Sequence, residues 1–201
     1  MNRASVYASV AFAGIALLGA SLAGATTVQK FTIQELAKKS DAIVMAKVED
    51  QSSRQDASNK EIYTYITVSV LESVKGAKGE KSITIRQLGG SVGNLISAVP
   101  GMPSFKNGEE VVLFLSAKDR AGYPWVMGLQ QGKYSIVTDE SGLKHVRNEL
   151  DGLQMLSPDG STSESKVSSE QPLGAFLDGI KTNLNLEGKA KIDTSSPTPI
   201  R

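Results

Sequence analysis

Seven stretches rich in β-branched and aromatic residues follow one another between residues 42 and 147, and no segment between them can form a helix long enough to cover a parallel sheet. They are Ala42–Val48, Glu61–Val74, Ser82–Gln87, Val111–Leu115, Tyr123–Met127, Lys133–Thr138 and Leu143–Arg147. Ser82–Gln87 alternates with Ile83 and Ile85 inward, whereas Val111–Leu115 is a continuous apolar run of the kind a buried strand produces. Turn residues separate them: Lys75-Gly76-Ala77-Lys78-Gly79, Asp119-Arg120-Ala121-Gly122, Gln130-Gln131-Gly132 and Asp139-Glu140-Ser141-Gly142. The order predicts a mainly β chain: an antiparallel sheet or small closed barrel over residues 26–150.

A helix is expected on each side of the strands. Thr32-Ile33-Gln34-Glu35 is a capping box, with Phe31 and Leu36 at the staple positions, and predicts a helix over about 33–39. Beyond Asp151 the composition turns to Ser, Pro, Gly, Asp, Glu and Thr, and 151–171 reads as a flexible linker. Leu173, Phe176, Leu177, Ile180 and Leu184 then follow helical spacing behind Pro172, which predicts an amphipathic helix over 172–186 whose apolar stripe packs back on the barrel. Residues 187–201 read as a disordered tail.

The first 25 residues have the pattern of an export signal, with Arg3, an uncharged stretch centred on Ile15-Ala16-Leu17-Leu18, and Ala23-Gly24-Ala25 as a cleavage site. A periplasmic or secreted protein is expected, touching a membrane only if that segment stays uncleaved. The chain has no cysteine, so neither disulfides nor thiolate metal sites hold the fold, and the core must. Without Arg3, 21 basic side chains face 21 acidic ones. No concentrated basic face emerges, which argues against nucleic acid as a partner. One histidine and no calcium-loop spacing point to no metal or other cofactor.

Gly89-Gly90-Ser91-Val92-Gly93 matches the G-x-S-x-G turn of serine hydrolases, and an acid (Asp119 or Asp139) and His145 follow in the right order. The turn needs a helix behind its serine, yet Pro100-Gly101 and Pro103 interrupt the chain within two turns. His145 lies in an expected strand, facing solvent. The glycines are better read as loop residues that adopt positive φ. Glu109-Glu110 and Asp139-Glu140 could serve acid–base chemistry, but as adjacent pairs they read as solvated turn residues. Tyr63, Tyr65, Tyr123, Trp125 and Tyr134 could line a ligand groove or fill the core.

The segments "SDAIVMAKVE", "IYTYITVSVLESVKG", "ITIRQLGG", "GMPSFKNGEEVVLFL" and "GLQQGKYSI", from Ser40 to about Gln131, resemble a family of exported bacterial proteins for which no activity is established. More distantly, "SDAIVMAKVE", "VLESVKG" and "GEEVVLFL" resemble netrin-like domains, the OB-barrel relatives that include tissue inhibitors of metalloproteinases. That resemblance implies an OB-like barrel. It does not carry inhibition over, because those inhibitors act through an amino-terminal cysteine and disulfides that this chain lacks.

The leading expectation is therefore an exported, non-enzymatic binding module whose partner is another exported or envelope protein. Its long loop from Leu88 to Lys106 is the expected recognition element, with Gly101, Met102, Pro103 and Phe105 as exposed contact residues. A hydrolase using Ser91 and His145, and a structural envelope protein, are the alternatives.

Overall fold

The structure is a computed structural model and describes residues 27–150, 154–157, 159–164 and 170–194. The expected export signal lies outside the described residues. In chain order the elements are β1 (Thr27–Gln29), α1 (Ile33–Lys39), β2 (Ala42–Gln55), β3 (Ile62–Lys75), β4 (Ser82–Leu88), β5 (Gly90–Val92), β6 (Leu95–Ser97), β7 (Glu110–Leu115), a 3-10 turn (Leu129–Gly132), β8 (Lys133–Thr138), β9 (Lys144–Arg147), β10 (Gln154–Leu156), β11 (Thr162–Glu164), β12 (Gln171–Pro172) and α2 (Leu173–Thr194). The chain is mainly β, as expected. Its principal sheet is antiparallel and seven-stranded, in the order β12-β9-β8-β7-β2-β3-β4. No strand pairing joins β4 to β12 among the described residues, so a closed barrel is not seen.

Alternation along β7 explains its continuous apolar run. Val111, Leu113 and Leu115 enter one core with Val44, Val48, Ile66 and Ile85. Val112 and Phe114 point the other way, into a second core with Leu36, Tyr134, Phe176 and Ile180. A central strand buried on both faces needs no polar alternate positions. β4 has its inward residues, Ile83 and Ile85, buried in the first core as expected.

The second core is where the helices dock. α1 begins at the expected capping box, with Glu35 N donating to Thr32 Oγ1 and Thr32 N donating to Glu35 Oε2. At its other end Lys75 Nζ donates to the carbonyls of Ala37, at 2.8 Å, and Ser40, at 2.6 Å, placing a cation where the helix leaves carbonyls unpaired. The α2 stripe of Leu173, Phe176, Leu177, Ile180 and Leu184 packs here, and Lys181 Nζ meets Glu72 Oε1 of β3 at 2.8 Å. Packing on the chain's own sheet is thus the fate of the amphipathic helix.

Four boundaries differ from expectation. Residues 50–55, polar and outside the expected strand Ala42–Val48, continue β2 because every one of Gln51–Gln55 pairs across to β3, and cross-strand bonding overrides their weak strand preference. Tyr123–Met127 forms only a single bridge, Leu115 to Val126: Trp125 N donates to the Ser116 hydroxyl instead of its carbonyl, and Pro124 has no N–H to return the bond from Arg86 of β4. The segment expected as a linker contributes β10, which pairs in parallel with β1, and β11, which pairs with β10. α2 continues to Thr194, eight residues past its expected end, into the segment read as a disordered tail. Residues 195–201 lie outside the described residues.

Register shifts in the β2–β3 pair fall between Ile43 and Val44, between Met45 and Ala46, and between Val48 and Asp50. Such bulges increase local twist and bend a strand. Across the end of the bent sheet, 124–127 bridges two strands. Ser116 N donates to Trp125 O and Met127 N to Phe114 O on the β7 side, while Arg86 N of β4 donates to Pro124 O at 3.0 Å.

Candidate functional site

The expected recognition loop is neither wholly exposed nor irregular. It opens with the β5–β6 hairpin, where Gly89, Gly90 and Gly93 all take positive φ, as the loop reading of these glycines requires. A Cβ on Gly90 would lie 2.3 Å from Thr64 Oγ1 and 2.4 Å from Ser53 Oγ, so a side chain there would collide with the hydroxyl pair beneath the hairpin. Ser91 therefore sits on a short exposed strand followed by a hairpin turn, and no helix stands behind it.

His145 is half-buried on β9, and its Nε2 lies 2.9 Å from Asp139 Oδ2. Asp139 organises the β8–β9 turn: it accepts from the Ser141 hydroxyl at 2.6 Å and from the Leu143 N–H at 2.9 Å. The Ser141 hydroxyl, then the Leu143 N–H, with smaller help from His145 and the Ser141 N–H, hold its carboxyl down at about 2. An unfolded Asp titrates near ~4. The carboxylate thus stabilises the turn above about pH 4, and that contribution disappears as pH falls from about 4 towards 2. The Leu143 amide resonance should move through this interval in an acid titration while the core amides stay fixed. A Leu143 amide indifferent to pH there would contradict this role.

Glu109 and Glu110 prove to be ion-paired. Glu110 Oε2 meets Lys144 Nζ at 2.5 Å. Glu109 Oε1 takes both Lys133 Nζ at 2.7 Å and the Ser135 hydroxyl at 2.6 Å, a buried cluster that fixes the end of the loop to β8. The Lys133 ammonium also stands 5.2 Å from the centroid of the Phe105 ring.

Phe105 is the main correction within the loop. It is 7% exposed and belongs to the first core, and Pro103 is buried too. The loop folds back onto the sheet, where Phe105 packs with the first core and Gln51 Nε2 donates to its carbonyl at 3.1 Å. Met102 stays half-buried, and the Gly101 carbonyl accepts from Gln130 N at 3.0 Å.

Met102 and Pro103 form one wall of a cleft of about 260 Å3. Opposite them stand Tyr63, Leu88, Trp125 and Leu129, with Arg86, Asp119 and Gln87 as the polar members. Trp125 is 46% exposed, unusual for so large an apolar ring. Leu129 adopts φ +60°, a left-handed conformation costly for a residue with a branched side chain, directly after Gly128 at +68°. The strain is held by Gln131, whose buried amide accepts from Phe31 N and donates to the carbonyls of Gln29 and Gly128. The "GLQQG" run thereby aims Leu129 into the cleft.

The polar groups are equally constrained. Arg86 Nη2 pairs with Asp119 Oδ2 at 2.5 Å, and its guanidinium stacks 4.4 Å from the Tyr63 centroid. Burial would raise the Asp119 carboxyl, but the N–H groups of Tyr123 and Ala121 together with Arg86 hold it below its ordinary value, so it is ionised at neutral pH. Gln87 Nε2 donates to the Pro103 carbonyl at 3.1 Å, while its Oε1 is buried with no partner among the described residues. A buried acceptor left unpaired is a cost that a bound donor can offset.

Beyond Gln87 the cleft adjoins a wider groove of about 630 Å3, lined by Ser53, Thr64, Ser91, Ser97 and Ser104 together with the apolar Ile96 and Phe105. Among the aromatics considered from sequence, Tyr63 and Trp125 face the cleft. Tyr65 and Tyr123 pack edge to face at 5.1 Å, and Tyr134 is core, 4.6 Å from Phe176. Sequence reasoning misses Arg86, Gln87 and Leu129; "RQLGG" and "GLQQG" are visible as segments, but the positive φ of Leu129 leaves no compositional trace. Among the described residues no group of three or more His, Cys, Asp or Glu could hold a metal ion. No protein-family model matches the chain, and no curated protein matches it.

Proposed function

We propose that this protein is an exported binding module that captures its ligand in the cleft between the 101–105 loop segment, β4 and Trp125. The observation that carries this reading is convergence. A half-exposed tryptophan, a strained leucine, a neutralised ion pair and an unpaired buried amide oxygen share one concave site. Export follows from the leader-like first 25 residues. The scaffold is, in this proposal, an OB-type barrel related to netrin-like domains, with 124–127 as the irregular stave that spans β7 and β4. An irregular stave leaves a partly open seam, and the cleft lies along it.

Site-specific photo-cross-linking in the cells of origin tests the reading. A photoreactive residue replacing Met102 should yield one dominant adduct that disappears when Trp125→Ala is added. The same residue replacing Leu143, exposed in the β8–β9 turn, should not yield it. Identical adducts from both positions, or an adduct indifferent to Trp125→Ala, would refute the site.

A further inference from the structure

The seam shows which backbone groups the cleft exposes. β4 is an edge strand, and its residues alternate between facing β3 and facing away. Gly89 N donates to Ile62 O on the β3 side, so Gln87 and Gly89 turn their backbone groups inward, whereas Arg86 and Leu88 turn theirs outward. Arg86 uses its N–H on Pro124 O. The Leu88 N–H and C=O face the same way, two residues on, with no backbone partner among the described residues.

The other bank behaves alike. Because Trp125 O and Met127 N bond to β7, the intervening Val126 turns its own N–H and C=O away from β7. No backbone bond joins Val126 to β4 among the described residues. β4 and 124–127 are thus tied once, at Arg86 and Pro124, and then diverge, and the cleft lined by both Leu88 and Val126 opens where the next ladder bonds would have formed. Unpaired strand edges of this kind are templates for another strand.

We infer that the cleft takes an extended peptide segment, which inserts between Leu88 and Val126, bonds to their free backbone groups, and places one uncharged apolar or aromatic side chain against Trp125, Met102 and Leu129. This inference rests on the binding reading above and names its ligand class. Three observations favour a peptide over a purely apolar ligand. The free groups on the Leu88 bank comprise both a donor and an acceptor, which a main chain matches and a hydrocarbon cannot. Gln87, which lines the cleft, adds a buried acceptor oxygen without a partner among the described residues. The two charges, Arg86 and Asp119, are spent on each other, so the site complements a segment that is neutral at its centre.

The test uses the whole purified protein and acetylated, amidated heptapeptides Lys-Thr-X-Thr-Val-Thr-Lys with X as Phe, Tyr, Leu or Met. The expected result is a saturable change in Trp125 emission, slowed hydrogen exchange at the Leu88 amide, and affinity lowered about tenfold when alternate peptide amides are N-methylated, since each pair of lost backbone bonds is worth roughly that factor. If N-methylated and unmodified peptides bind equally, the cleft captures side chains only. Strand insertion is then wrong, and the binding reading stands. If no peptide binds but indole or methyl glucoside perturbs Trp125, the ligand class is wrong and the cleft remains a binding site. Trp125 unmoved by every probe would remove this proposal and the support it draws from the cleft together.

Discussion

Phe105→Ala should destabilise the protein by about 3–5 kcal/mol, the usual cost of emptying a buried aromatic site. A domain of ordinary stability, about 5–15 kcal/mol, would lose a large fraction of it. The reason lies in where the loop ends. Phe105 is 7% exposed and packs in the first core, so truncation leaves a cavity between strands that are fixed by their ladders and cannot close around it. Met102→Ala is the matched control: half-buried at the cleft, it should cost about 1 kcal/mol or less. Urea unfolding followed by circular dichroism measures both. Equal midpoints for wild type and Phe105→Ala would show that the ring contributes no core packing.

Lys133→Met should cost about 3 kcal/mol, and the loss should be largely recovered in Lys133→Met/Glu109→Gln. The Lys133 and Glu109 side chains are 7% and 16% exposed, so removing the ammonium strands a carboxylate in a poorly hydrated place. Replacing the carboxylate by an amide as well removes the unpaired charge. The glutamine introduced by Glu109→Gln can accept from the Lys106 N–H through its amide oxygen and donate to the Ser135 hydroxyl through its amide nitrogen, two groups that in the parent donate to separate carboxylate oxygens at 3.1 and 2.6 Å. A double-mutant cycle reads the coupling directly. Additive losses from the two single changes would mean that the pair is not coupled and does not anchor the loop. Because Lys133 also lies over the Phe105 ring, the two experiments probe one junction, the point at which the 88–106 loop re-enters the sheet.

That junction also marks the limit of what the sequence discloses. The capping box of α1, the inward Ile83 and Ile85, the two-sided burial of β7 and the stripe of α2 are all legible, because each depends on the period of its own element. The position of Phe105 is not, since it depends on how a loop containing Pro100 and Pro103 returns to the sheet, a non-local outcome with no period to read. The length of β2 is hidden for a related reason. Its polar half, Gln51–Gln55, is strand only because Ile62–Ile66 lie opposite. Of the four loop residues singled out, Met102 and Pro103 line the cleft, whereas Phe105 supports it from inside and Gly101 ties the loop to Gln130. Arg86 and Leu129 need three dimensions: one depends on a partner 33 positions away, the other on a backbone angle.

The chemistry suggested by Gly89-Gly90-Ser91-Val92-Gly93 finds no support in its surroundings. Its glycines serve a hairpin, no helix follows Ser91, and no hydrogen bond joins Ser91 to the Asp139–His145 pair among the described residues. The same hairpin borders the groove next to the cleft, and Ser91 lines it.

Trp125 is the sole tryptophan of the chain and stands in the cleft wall, so its emission reports on this site alone. The most direct measurement is therefore a fluorescence titration of the purified protein with fractions of its own cell envelope, run in parallel with a Met102→Glu variant of unchanged circular dichroism. The account predicts a saturable shift in the wild type that the variant loses. Matching responses from both proteins, or a wild type that responds to no fraction while an unrelated surface captures the ligand, would contradict it.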